Sequence, residues 1–155
     1  MDLTRLLPAN HCLVNISPIN REDAYKQLIQ PLVDTGIIVD PEQFLTNLED
    51  REKQITTVVG NGVAIPHART VSATRLGLSV GFLPEGNSFK FSDEDSVESV
   101  SLMFLIAIPS FAPASHLPLL QHIAKFIRYD KKVAKLMKSK TPAATAKYLH
   151  SFKTK

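Results

Sequence analysis

Apolar residues recur at helical spacing in the first part of the chain. Ala24, Tyr25, Leu28, Ile29, Leu32 and Val33 fall on one face of a helix. Asn20 stands where a cap belongs, Glu22 and Asp23 occupy the first turn, and Gly36 follows the last apolar position. Pro31 falls off the apolar face and is expected to remove one backbone hydrogen bond and bend the helix. A second helix is expected from a cap at Asp40, with Pro41 at the first helical position and Gln43 completing a capping box. Phe44, Leu45 and Leu48 form its buried side, and it should run to about Glu52.

The period then changes. Thr56–Val59, Gly62–Ile65, Leu76–Leu83 and Val100–Ile108 are short, β-branched or strongly apolar, and separated by turn residues. Leu102–Ile108 is apolar on both alternating faces, which suits a central strand covered on both sides. Pro84-Glu85-Gly86-Asn87 reads as a turn, and Phe89 with Phe91 as a short edge strand, so Leu76–Leu83 and Phe89–Phe91 predict a hairpin. Helical spacing returns at the end. Ser115 is the expected cap of a helix carrying Leu119, Leu120, Ile123, Ala124 and Ile127. A shorter helix holds Val133, Leu136 and Met137, and the last begins at Thr141-Pro142. Helices, strands, then helices give an α/β fold: one domain over residues 1–155, with a mixed β-sheet flanked by helices on both faces.

Composition narrows this picture. With 155 residues the chain buries roughly 68–70% of its unfolded surface, enough for one real core. Hydrophobic residues at 44% and charged residues at 21% exclude a disordered chain. The longest purely apolar run has seven residues, Leu102–Ile108, against the roughly 20 needed to cross a membrane. The start, MDLTRLLPANHC, lacks a signal peptide's long apolar core, so a cytoplasmic protein without membrane insertion is expected. Cys12 has no partner for a disulfide and no zinc-site spacing, and reads as a buried small hydrophobe. From Lys125 to Lys155 there are ten Lys and Arg against one acid, Asp130. This stretch reads as the solvated outer face of the last helices. It does not follow the aromatic-interleaved pattern of single-strand binders, and no nucleic-acid partner is expected.

Two histidines stand where a strand gives way to something else. His67 follows Val63-Ala64-Ile65 and Pro66, and the proline holds Ile65 extended. The preceding Gly60-Asn61-Gly62 turn contains glycines able to take positive φ, a costly sequence if it only turns the chain. His116 follows the Leu102–Ile108 strand and a loop containing Pro and Ser, in the first turn of a helix. Free backbone N–H groups there attract anions and the macrodipole disfavours an imidazolium. A surface histidine is the alternative reading of both. His122, six positions after His116, lies on a different helix face and reads as structural. His11 and His150, near the termini, receive no role. No metal is expected, because close ligand pairs are absent. No Gly-x-Ser-x-Gly elbow, Walker loop or dinucleotide fingerprint appears, so no cofactor is expected either. If the protein handles phosphate, a side chain must carry it, and imidazole is a good nucleophile near neutral pH.

Arg51-Glu52-Lys53, then Thr56-Thr57, then the unbroken run Gly60-Asn61-Gly62-Val63-Ala64-Ile65-Pro66-His67-Ala68 resembles the signature of type-2 enzyme IIA domains. These are the fructose/mannitol class of the bacterial sugar phosphotransferase system, with its nitrogen-related regulatory branch. A second block also fits: Leu105–Pro109, His116-Leu117, Leu120 and Ala124. The resemblance implies a mixed sheet with helices on both faces. It implies that His67 accepts a phosphoryl group from the phosphohistidine of the carrier HPr, or of its nitrogen-related counterpart, and passes it to a cysteine of a IIB component. It further implies that His116 steadies the phosphoryl oxygens and that Arg51 is the phosphate-facing cation. The Thr57 hydroxyl, with Asn61 and Gly62, completes the expected phosphate-binding set. Val58 departs from the family pattern, where glycine is frequent, and Ala68 is one of several small residues found there. The basic C-terminal third is not part of the signature.

Three readings stand at this point: a phosphocarrier in sugar uptake, a regulatory binding protein of the nitrogen-related kind, and a relative that has lost activity. GNGVAIPHA occurs in both active branches. Standing alone as one domain leans toward regulation; the presence of His67, His116 and Arg51 speaks against lost activity.

Overall fold

The long apolar run is the middle of a sheet. In the computed structural model, which describes residues 1–153, Leu102–Pro109 forms strand β6 and is buried along its whole length. Lys155, counted in the basic stretch, lies outside the described residues. Leu102, Phe104, Ile106 and Ile108 face one core, and Met103, Leu105 and Ala107 the other. A strand buried on both faces has no polar side to alternate.

Against one edge of β6 runs β5 (Gly77–Phe82), antiparallel, from Gly77 opposite Ala107 to Phe82 opposite Leu102. A two-residue strand β1 (Cys12–Leu13) adds to β5 in parallel. The other edge is shared by β3 (Val63–Ala64) and β4 (His67–Thr70), both parallel to β6. The strand β2 (Val58–Gly60) pairs antiparallel with β3. Among the described residues the sheet is therefore mixed, with six strands.

Helices cover both faces. Helices α1 (Arg21–Asp34) and α2 (Pro41–Gln54) pack on the Met103 side. Helices α3 (Leu117–Phe126), α4 (Asp130–Leu136) and α5 (Pro142–Ser151) cover the Phe104 side. The side chains of Asn20, Asp40 and Thr141 accept from the backbone N–H three residues on, as true caps. The α/β class with helices on both faces is the one the sequence predicts.

Several local expectations fail for physical reasons. The predicted hairpin does not form: β5 takes β6 as its antiparallel partner, and Phe89 makes only an isolated bridge to Val100. The turn does close, with Asn87 N–H on Pro84 O at 3.0 Å, but β5 gains a fully buried neighbour only at the centre of the sheet. Pro31 is buried rather than off the apolar face, and α1 continues through it. Gln43 does not complete the capping box; its amide reaches Asn47 instead. Ser115 does not cap α3. His116 holds the N-cap position, and the Ser115 hydroxyl is buried without a partner among the described residues. Helix α2 runs to Gln54, and its buried stripe is Phe44, Leu48 and, four residues on, Glu52.

The lysines of α4 and α5 are exposed, as a solvated face requires. Aromatic rings do accompany some of them: Lys132 lies 5.8 Å from the Tyr129 ring centroid and Lys135 5.3 Å from that of Tyr148. Cys12 is buried, and burial pushes its thiol up to about 12, so it packs as an inert hydrophobe.

His122 is structural, but at a cost. It is 3% exposed, packs its ring on Phe152 at 5.2 Å, and finds no hydrogen-bond partner for either ring nitrogen among the described residues. The cavity beside it, of about 10 Å³, is at the lower limit for one water. Burial holds its pKa below the ordinary 6.5. The unfolded chain then binds more protons than the folded one below that pH, so this residue costs stability as pH falls through 6.5. His122→Leu is expected to raise stability by about 1 kcal/mol at neutral pH, because an orphaned buried polar group is removed. The gain in Tm should widen between pH 7.5 and pH 5.5 in thermal melts. A variant that melts below the wild type at pH 5.5 would mean that His122 has a partner after all.

Candidate functional site

Strands β3 and β4 run along the same edge of β6 as one interrupted strand. The interruption is Ile65-Pro66. Proline cannot donate, so Pro66 contributes only its carbonyl, which accepts Ile106 N–H at 2.9 Å. The Ile65 N–H turns the other way and bonds Thr57 O at 2.9 Å. His67 thus opens a strand rather than following one, which corrects its expected place at a strand end. Before the break, Gly60, Asn61 and Gly62 all adopt positive φ.

The His67 ring is half-buried. Its Nδ1 lies 2.7 Å from Ile65 O, a contact that only an Nδ1–H can make favourable. The neutral ring therefore carries its proton on Nδ1 and presents the Nε2 lone pair. Burial lowers the His67 pKa below 6.5; the Ile65 bond opposes this, the charge of Arg51 adds to it, and that of Glu52 opposes it.

His116 approaches from the loop after β6. Its ring centroid is 5.9 Å from that of His67, with the planes 28° apart. Its Nδ1 is buried without a partner among the described residues, so Nε2 is the nitrogen able to reach a ligand. Burial first, then the neighbouring His67 and Arg69, holds its pKa below the ordinary value. Both rings line a cleft of about 380 Å³.

Arg51 also lines this cleft. One of its nitrogens donates to Ile55 O at 2.7 Å, which closes the end of α2; no other hydrogen bond holds its guanidinium among the described residues. Three predicted site residues are brought together: His67, His116 and Arg51. The other three are not. The Thr57 hydroxyl donates to Glu52 Oε1 at 2.6 Å, and Thr57 is buried outside the cleft. Asn61 and Gly62 sit at the far end of β3, roughly 15 Å up an extended chain from His67. There the Gly62 N–H donates to a Glu98 carboxylate, and Asn61 lies 3.5 Å from Asp130.

The sequence profile described as "Phosphoenolpyruvate-dependent sugar phosphotransferase system, EIIA 2" matches residues 5–151. The chain belongs to this family. Among its relatives is the 2-O-alpha-mannosyl-D-glycerate-specific EIIABC component of Escherichia coli K12, 32% identical over 92% of this chain; the chain spans only 21% of that protein. The fructose-specific EIIA component of Haloferax volcanii is 26% identical, with 90% of this chain and 89% of that protein covered. Among solved structures, the nitrogen regulatory protein IIA-Ntr of Neisseria meningitidis superposes with a TM-score of 0.81 at 22% identity, covering 95% of this chain and 98% of that one. The Escherichia coli mannitol IIA protein in complex with phosphorylated IIB superposes at 0.76 with 20% identity, covering 94% and 98%. These structures share the fold.

Members of the EIIA 2 family are phosphocarriers, so phosphoryl transfer is the chemistry to be placed on this chain. The EIIA 2 cleft holds residues that the sequence reading passed over. Asn47, Asp50 and Gln54 line it beside Arg51, because the four fall at i, i+3, i+7 and i+4 on α2. Arg69 lines it because alternation along β4 puts it on the same side as His67; its Nε also donates to Pro113 O at 3.2 Å in the His116 loop. Helical spacing counted back and forward from Arg51 signals the first set, with Gln54 two residues past the expected helix end, and a strand at residues 67–70 signals Arg69. Among the described residues no group of three or more His, Cys, Asp and Glu is placed to hold a metal ion. No described helix is long and apolar enough to cross a membrane.

Proposed function

We propose that His67 is the phosphoryl carrier of this EIIA 2 chain. It takes the group from the phosphohistidine of HPr, or of a related carrier, and hands it to a cysteine of a IIB component. The observation that carries this reading is the 2.7 Å contact from Nδ1 to Ile65 O, which leaves Nε2 as a free nucleophile in the cleft. The Nε2 lone pair forms the new N–P bond as the donor's N–P bond breaks and its electron pair returns to the donor imidazole. His67 keeps its Nδ1 proton and becomes cationic, which strengthens the bond to Ile65 O. Arg51 and the Nε2–H of His116 stabilise the phosphoryl oxygens, where charge positioning is the main task.

Of the two active branches, the sugar-specific one has the better support. The lean toward nitrogen regulation rested on a single domain standing alone. The Haloferax volcanii fructose-specific EIIA and the Staphylococcus aureus mannitol-specific IIA match over 89% and 91% of their own lengths, so this size does not mark a regulator. The likeness to IIA-Ntr is one of fold.

The test is onward transfer. Chain labelled from phospho-HPr is mixed with IIB proteins of the fructose and mannitol classes. Label should move to a IIB cysteine within seconds. Label that stays on the chain with every IIB tried would return the protein to the regulatory branch.

A further inference from the structure

We infer that Glu52 is a positioning residue for His67, acting through a line of four hydrogen-bonded groups. This rests on the reading of His67 as the phosphoryl carrier. Glu52 is a carboxylate 7% exposed on the buried stripe of α2. It has no cationic partner within salt-bridge distance among the described residues. Among the described residues its hydrogen bonds come from Thr57 alone: the backbone N–H donates at 3.0 Å to one oxygen and 3.2 Å to the other, and the hydroxyl at 2.6 Å to the first. A buried carboxylate so held fixes its partner firmly, because losing the donors would leave the charge uncompensated.

Thr57 passes this order on. Its carbonyl accepts Ile65 N–H at 2.9 Å, and Ile65 O accepts the Nδ1–H of His67 at 2.7 Å. The line crosses the point where the sheet ladder is broken. The Ile65–Pro66 peptide has no N–H, so its carbonyl is positioned through the preceding Ala64–Ile65 peptide, which the Ile65 N–H ties to Thr57 O, and through the fixed φ of Pro66. A carbonyl aimed at Nδ1 fixes both the tautomer and the ring angle, and so decides whether Nε2 is a lone pair or an N–H. Glu52 stands behind His67 as the partner of a partner, much as outer groups orient metal-bound histidines. The same observation gives Thr57 a place: its hydroxyl serves Glu52 rather than phosphate.

The test reads His67 in the unphosphorylated protein, so it does not depend on transfer occurring. Long-range 1H–15N correlations report the tautomer, and a pH series reports the titration. The charged and titratable groups around the ring are Arg51, Glu52, His116, Arg69 and Asp50. In the wild type the neutral ring should be almost wholly Nδ1-protonated. Glu52→Gln keeps the shape but removes the charge and opposes an NH2 to one Thr57 donor. It should give a mixture of tautomers, move the His67 titration to lower pH, and slow phosphoryl acceptance about ten- to a hundredfold. Thr57→Val, which keeps the N–H and loses the hydroxyl, should fall between; Thr57→Ser should restore wild-type behaviour. If Glu52→Gln does not fold, the Val and Ser pair decides. Lower thermal stability with an unchanged tautomer and titration would overturn the inference and leave Glu52 structural. A fixed tautomer in a His67 that takes no phosphoryl group would keep this inference and remove the carrier reading.

Discussion

Replacing His67 with alanine is expected to abolish phosphoryl uptake from phospho-HPr altogether. No covalent adduct can form without the Nε2 lone pair, so labelling should fall from about one group per chain to none. The fold should survive. His67 is half-buried and, among the described residues, its side chain makes one hydrogen bond, to the nearby Ile65 carbonyl, so the stability loss should be about 1 kcal/mol. Circular dichroism and a melt of the variant establish that point before labelling is read. Acid-labile phosphate persisting on His67→Ala would move the carrier role to the ring 5.9 Å away, that of His116.

The second large effect is expected at His116. Alanine there removes one donor from the place where phosphoryl charge gathers, which typically costs roughly 10²–10³ in rate. The loss should appear in both uptake and onward transfer, because the same oxygens are held in each. Folding should change little, since His116 packs at the cleft wall and its buried Nδ1 has no partner to lose. Removing that orphaned nitrogen offsets part of the packing loss. Rapid-quench measurement of both steps, beside a thermal melt, separates the outcomes. Normal transfer with a large drop in Tm would make His116 a structural residue.

How far the sequence foretold this site depends on which force acts where. The central strand was legible because burial on both faces leaves an unmistakable run, Leu102–Ile108. The capped starts of α1, α2 and α5 were legible because a cap is a local side-chain bond. The partner of β5 was not, because strand pairing is decided by which neighbour is fully covered, and Phe89–Phe91 only looked nearer along the chain. Strand β1, two residues long, is too short to carry a period.

The site divides in the same way. His67, His116 and Arg51 have side chains of the type phosphoryl transfer uses, and the resemblance of the sequence to the family signature points to them. Arg69 and Gln54 needed an element boundary to be right: four more strand residues after Pro66, and two more helical residues after Glu52. Glu52 was the hardest to see. A glutamate near a helix end reads as solvated, and only its place four residues after Leu48 on the buried stripe says otherwise. Thr57, Asn61 and Gly62 were drawn toward phosphate by their hydroxyl, amide and backbone N–H. Each already has a carboxylate beside it, from Glu52, Asp130 and Glu98 respectively.

The measurement closest to the central claim is the position of phosphorus on the ring. Long-range 1H–15N correlation with 31P coupling on the phosphorylated chain should place the group on Nε2 of His67, with Nδ1 still protonated and bonded to Ile65 O. Phosphorus on Nδ1 of His67, or on any other residue, would contradict the account.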